Sequence, residues 1–445
     1  MERETSMSKK FRRKEEETGV VSAFLTRKLS SRGNDTYNPS PSTSIFYGIP
    51  MKLHKVNEEA YTPQVVAIGP LHRTKRHLQP MQPRKDRYLN YFVERTKYDR
   101  NRYFKMVKEQ EQNARGYYQD DINLNPDEFS NLLLVDGIFI IEFFLRMRSH
   151  KQAGVDDYGN GDEIFKKHIL RDDIFIDLIL LENQLPFFVL RDLYKSSELD
   201  PSWEHLMFWI AREYFKRGVS FEKTRETLER NDIWHLVDFL HSLCVATVPK
   251  KKLHSEVQPN IELSRSATEL REAGVHFVMA AAKYPFDLSF TDDGLLEIPS
   301  MLIDRWTEYF FRNFIAHEHC VHRDKIISSY IILMSSLLKT PKDADLLVQL
   351  KIIDNQSLGT SEDLCSLFRR LYRRSMMDKS EFYYAALCED LNNYSEEYWH
   401  QWKAALHIWE ERLRHNYFGS LWSIISVIAG FILLVLAIIQ AMNPV

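Results

Sequence analysis

DLILLENQLPFFVL, residues 177–190, is the stretch whose reading decides the fold. With Ile174, Phe175 and Ile176 ahead of it, residues 174–181 form an almost continuous apolar run, too rich in Leu and Ile to lie anywhere but inside. Glu182, Asn183 and Gln184 interrupt the run and Pro186 stops it. Proline lacks an amide hydrogen and clashes with the preceding turn, so one helix is expected to end near Gln184. Residues 187–190 then resume in a new direction. A second run, LLLVDGIFIIEFFL at 132–145, precedes it. Both predict buried core helices. Spanning a bilayer takes about 20 apolar residues, and these runs are shorter. Asp136 alone would cost about 2.5–3.5 kcal/mol at mid-bilayer, and Glu142 would add to that.

Composition bounds the rest. A chain of 445 residues has room for two domains and a substantial core. A net charge of −3 leaves no nucleic-acid footprint. The four cysteines, Cys244, Cys320, Cys365 and Cys388, are far apart and lack metal-ligand spacing, so they read as buried free thiols. The first residues are charged without an apolar core, unlike a secretory signal peptide.

Taken in order, residues 1–44 are polar and Ser/Pro-rich, with KKFRRK at 9–14, and are expected to be a disordered tail. A helical domain is expected over 45–244, a linker over 245–265, and a second helical domain with a small sheet over 266–415. Residues 61–70, broken by Pro63 and Pro70, read as short extended pieces. Residues 85–118 read as a long helix or a pair of helices, with Tyr88, Tyr91, Phe92, Tyr103, Phe104 and Val107 inward. Trp203, Leu206, Ile210 and Tyr214 fall on one helical face. Ser266 and Glu269 form a capping box. GVHFVM, DLSF and LLEIP, within 274–299, alternate and predict a small antiparallel sheet. Residues 421–442 carry no charge and, as a helix, would extend about 33 Å, so a transmembrane helix is expected there. Arg412 and Arg414 on its near side favour a cytosolic body, at the plasma membrane. The fold class expected is mainly α: a helical body with a small antiparallel β-sheet and one C-terminal transmembrane helix.

These landmarks together resemble a plant family called domain of unknown function 247. The resemblance is carried by Ile49-Pro50, Tyr61-x-Pro63, Ile68-Gly69-Pro70-x-His72, Leu78-x-x-Met81-x-x-x-Lys85, Leu134-Val-Asp136-Gly137-x-Phe139-Ile140-x-Glu142 and residues 177–190. The second half adds Ala267 through Phe277, Leu296-Glu-Ile-Pro299 and Arg312-Asn-Phe-Ile-Ala316. Gln82 and Arg73 depart from the residues common in the family at those places. The resemblance implies a mainly helical, single-pass membrane protein of plants with no established chemistry. For some grass members it implies a pollen-side role in self-incompatibility, and so recognition of a partner.

Candidate sites are few. His317-Glu-His-Cys-Val-His322 suggests a metal, but zinc proteases need imidazoles four residues apart, and Val321 stands at that position. His317 and His322 lie about 140° apart on a regular helix, leaving His319 and His322 as a weak pair. There is no nucleophile elbow and no phosphate-binding loop. His72, beside Pro70, reads as a turn residue. No catalytic, cofactor-binding or metal residue is therefore assigned, and no cofactor is expected. The reading is a non-catalytic interaction or recognition protein, partnered by the lipid bilayer and by an unidentified protein. The alternative is a hydrolase-like enzyme using Asp136, Glu142, Asp177 and Glu182. Asp136 and Glu142 lie about 240° apart on a helix and so do not converge. Glu142 is better placed for Arg146, one turn on.

Overall fold

The computed structural model describes residues 49, 54, 57–118, 122–153, 162–215, 221–229, 233–246, 263–280, 285–321, 325–357, 359–372, 381–397 and 433. All of them fall within one compact unit, Ser44–Val445.

The first half is helical: α1 (Gln82–Thr96), α2 (Arg100–Glu109), α3 (Glu111–Arg115), α4 (Pro126–Ala153), α5 (Glu163–Lys166), α6 (His168–Asp177), α7 (Phe187–Ser196), α8 (Trp203–Phe215), α9 (Phe221–Glu229) and α10 (Leu236–Ala246). The second half holds α11 (Ala267–Glu272), β1 (His276–Ala280), β2 (Ser289–Phe290), β3 (Leu295–Pro299), β4 (Met301–Ile303), α12 (Thr307–Val321), α13 (Ile326–Leu337), α14 (Pro341–Gln349), β5 (Ile353–Asn355) and α15 (Ser361–Tyr372). Residues 385–397 are also helical.

The 132–145 run is the middle of α4. It is apolar on every side, and Leu133, Leu134, Ile138, Phe139, Phe143 and Phe144 are all fully buried. Each such side chain stabilises the fold by about 1.5–3 kcal/mol. Helices α1, α2 and α7 pack round it. The expected long helix over 85–118 is three helices, because Lys97 turns left-handed (φ 59°) and ends α1. Tyr88, Phe92, Tyr103 and Val107 face inward, while Tyr91 and Phe104 are half-buried. The α8 face of Trp203, Leu206, Ile210 and Tyr214 is buried as its spacing requires.

Residues 174–181 are buried, but the helix ends at Asp177 rather than near Gln184. Two side-chain amides hold the chain in turns instead. Asn183 Nδ2 donates to the Asp177 carbonyl at 2.9 Å. Gln184 Nε2 donates to the Leu178 and Leu180 carbonyls at 2.8 and 2.9 Å. Carbonyls that a further helical turn would have bonded are thereby satisfied.

The expected fold class is corrected on two counts. Among the described residues, no helix is long and apolar enough to cross a membrane. Helix α4, the longest of those named, carries Asp136, Glu142 and Arg146 within its span and lies in the protein core. The expected transmembrane segment 421–442 lies outside the described residues, apart from Leu433. The sheet is also not simply antiparallel. Strands lie in the order β1-β3-β2, with β1 and β3 parallel and only β2 and β3 antiparallel. A separate parallel pair joins β4 to β5. Alternation marks a strand but not its direction; the 281–294 connection is long enough to bring the chain back to the same end.

Capping holds the second half together. The Ser266–Glu269 box forms. Asp343 then serves two helices: one oxygen accepts from Ser266 and Thr268, the other from Thr340. One hydrophobic core runs through both halves, from Ile49 to Leu391. Asn313 of α12 ties the halves at their centre. Its Oδ1 accepts from the Leu181 amide at 2.8 Å, and its Nδ2 donates to the carbonyls of Ala60 and Tyr309.

Candidate functional site

Four acids were the residues from which an enzyme would have to be built, and each is committed elsewhere. Residues 64–69 run irregularly from the surface into the interior and, among the described residues, pair with no strand, so their amides take side-chain partners. Asp177 accepts from the amides of Gln64, Val65 and Val66 at 2.9, 2.7 and 2.8 Å. Asn183 accepts from Ile68 at 2.7 Å and donates to the Val66 carbonyl at 3.0 Å. Asp136 accepts from Gly69 at 2.9 Å. The expected extended pieces are therefore not part of a sheet; buried side chains from 136 and 177–183 take the place of a neighbouring strand.

Glu182 accepts from the Ile49 amide at 2.9 Å, with His72 Nε2 at 3.5 Å and His54 Nε2 at 3.9 Å. Burial alone would push its carboxyl up; these partners outweigh burial and hold it below the usual value. Glu142 takes Arg95 in a two-pronged pair at 2.7 and 3.0 Å and Arg146 at 2.9 Å. His72 also closes a turn through its carbonyl, which accepts from Lys75.

The histidine cluster is divided between the core and the end of α12. His317 and Glu318 are fully buried where α12 meets α10, while His319 is half-buried. His317 Nε2 lies 3.1 Å from Asp238, and His241 Nε2 lies 3.0 Å from Glu318. Glu318 also accepts from the amides of Ile327 and Ser328. The spacing of His235, Asp238 and His241, three residues apart from just before an apolar helix into its second turn, was the available signal for this cluster. His322 lies outside the described residues. Among the described residues, no three His, Cys, Asp or Glu side chains are arranged to hold a metal.

Open space of ligand size lies beside Asp136. A polar cleft of about 330 Å³ runs between α4 and the 67–85 segment. That volume lies at the lower end of the range for small-molecule sites. Its two walls are joined at the base by an ion pair. Lys85 Nζ lies 2.5 Å from Asp136 Oδ1 and also donates to the Ala67 carbonyl. Both residues are buried, and burial pushes the Asp136 carboxyl up against the pull of Lys85. Each Asp136 oxygen thus holds one hydrogen bond of the fold. One of the three Lys85 N–H donors remains uncommitted. Higher in the cleft, the 67–85 wall presents Arg73, Gln79 and Gln82, and α4 presents Glu128 and Asn131. This site is built from Lys85 and Asp136, both among the residues that carried the family resemblance. Arg73, Glu128 and Asn131 as its lining were not legible, because nothing local in the sequence brings 73 and 128 together.

Known proteins were compared with the chain as a whole. The family DUF247, described as plant protein of unknown function, matches residues 46–436. A UPF0481 protein of Arabidopsis thaliana is 27% identical over 419 residues, covering 89% of this chain and 85% of the relative. A putative UPF0481 protein of the same plant is 24% identical over 229 residues, covering 49% of this chain and 41% of the relative. No solved structure matches.

Proposed function

The chain belongs to the plant protein family of unknown function DUF247, and from that premise we propose that it is a non-catalytic recognition protein whose binding site is the cleft between α4 and the 67–85 segment. The observation that carries this reading is the bonding of Asp136. The acid at the floor of the cleft has Lys85 on one oxygen and the Gly69 amide on the other. An acid whose two oxygens are each tied to the fold is placed to fix the walls of a site. Asp177, Glu182 and Glu142 support the reading for the same reason, since each is engaged by amides or cations of the fold. A role in partner recognition, of the kind the resemblance implies for some grass members, falls within it.

The test is proximity labelling in plant cells with the full chain and a Gln82→Trp variant. Gln82 is exposed at the start of α1, so the indole fills the cleft without entering the core. The reading expects a defined set of neighbouring proteins that the variant loses. The same set from both proteins, or turnover of a substrate that depends on Asp136, would overturn it.

A further inference from the structure

We propose that the cleft takes a small zwitterion, a free amino acid in size and charge, with its carboxylate toward Arg73 and its ammonium toward Glu128; this rests on reading the cleft as the recognition site. The argument begins with the charges. The 67–85 wall carries Arg73 and Lys85, and the α4 wall carries Glu128 and Asp136. The formal sum is zero, so the cleft as a whole selects neither anions nor cations. Lys85 and Asp136 neutralise one another at the floor, 2.5 Å apart. The charges left over are Arg73 on one wall and Glu128 on the other.

Neither is consumed by the fold. Among the described residues Arg73 makes no ion pair, and its side chain is exposed. Glu128 gives one oxygen to the Asn125 amide as a helix cap, at 3.0 Å, and keeps the other. The amides beside them divide in the opposite sense, so each wall also carries a polar group complementary to its charge. Gln79 donates its NH₂ to the Arg73 carbonyl, which leaves its oxygen as an acceptor. Asn131 accepts from Arg100 at 2.7 Å, which leaves its NH₂ as a donor. A ligand with one charge would find one wall attractive and the other repulsive. A ligand with both charges, held a few bonds apart, satisfies both.

Size agrees, since about 330 Å³ lies at the lower end of the range for small-molecule sites. Leu78, Leu124, Leu132 and Val135 line the same space, so an apolar side chain has a surface to cover.

The experiment is titration calorimetry on the full chain with leucine, its amine-free acid, its carboxylate-free amine, and sorbitol. Leucine is expected to bind, with each single-charge analogue at least about tenfold weaker. Arg73→Gln and Glu128→Gln should each weaken leucine by a similar factor. Gln at 128 keeps the cap. The amine-free acid should respond to Arg73→Gln and ignore Glu128→Gln. Equal affinity for leucine and the acid alone would make this a simple anion site. Sorbitol binding as tightly as leucine would make it a polyol site. No heat with any of the four would also overturn the zwitterion, and the labelling experiment with Gln82→Trp would still decide whether the cleft recognises a partner.

Discussion

Asp177→Ala tests whether a carboxylate substitutes for a strand. The Asp177 side chain is buried, and three consecutive amides point at it from 2.7 to 2.9 Å. Gln64 is exposed, so water can take over its amide. Val65 and Val66 lie deeper, and each orphaned buried donor costs about 1–3 kcal/mol. The expected loss is therefore about 2–6 kcal/mol from the inner pair alone, a large part of the roughly 5–15 kcal/mol that holds a typical domain. Water entering the vacated space would move the result toward the lower end. The assay is urea unfolding followed by circular dichroism, with Arg225→Ala as the control. Arg225 pairs with Glu229 on an exposed surface, where an ion pair is worth about 0–1 kcal/mol. A loss below about 1 kcal/mol in Asp177→Ala, or one equal to the control, would refute the claim that this acid holds residues 64–66.

Further outcomes follow from the same region and from the thiols. Gly69→Ala should destabilise by about 2–4 kcal/mol, because φ is +73° and an added Cβ would lie 2.8 Å from the Gln184 carbonyl oxygen. Gly137→Ala should cost less in the same thermal-melt series, since its Cβ meets only the tip of Leu193 and alanine gains about 1 kcal/mol in a helix. Glu182 is held below its usual value in the fold, so its contribution is present above pH 4.5 and fades as pH falls through the folded value. The stability gap between wild type and Glu182→Gln, measured from pH 7 to pH 3, should shrink toward acid; a constant gap would contradict the pairing. Burial pushes the Cys320 and Cys365 thiols up to about 11. Iodoacetamide at pH 7.5 should therefore label them in the native protein roughly a hundredfold more slowly than after unfolding, as read by mass spectrometry.

What the sequence disclosed was what depends on neighbours within a few turns. The run at 132–145 announced a helix apolar on every side, and the 203–214 pattern announced one buried face; both follow from the 3.6-residue period alone. Glu142 and Arg146, one turn apart, paired as their spacing demanded. The Ser266 cap was local too. The misread features depend on partners far away. Residues 178–184 look helical by composition, yet Asn183 and Gln184 fold back on the preceding carbonyls. Proline at 186 explains why a helix must stop, but not that two amides stop it earlier. The parallel direction of β1 against β3 cannot be read from the alternation within either strand. His317 looked like part of a metal motif because its partner, Asp238, lies in another helix.

The same distinction explains why the acids invited a catalytic reading. A carboxylate in an apolar run is costly unless it is bonded, so its presence signals a purpose without saying which. Asp136 and Asp177 resolve that cost against backbone amides of one irregular segment, residues 64–69. That segment then has a fixed path, and the chain leaving it at Gly69 carries Arg73 to the mouth of the cleft while Ala67 and Lys85 line its base. The buried acids therefore help to fix the floor and walls of the cleft. Lys85→Met would test this. It removes the pair at the base while the methionine fills much of the same volume, and it leaves Asp136 bonded to Gly69 alone. Breaking a buried pair from one side costs about 3–5 kcal/mol, so the melting temperature should fall clearly. The Lys85→Met, Asp136→Leu double variant removes both charges and should recover part of the loss. If the double variant is no more stable than the single one, the uncompensated charge is not the source of the damage, and Lys85 matters for its packing instead.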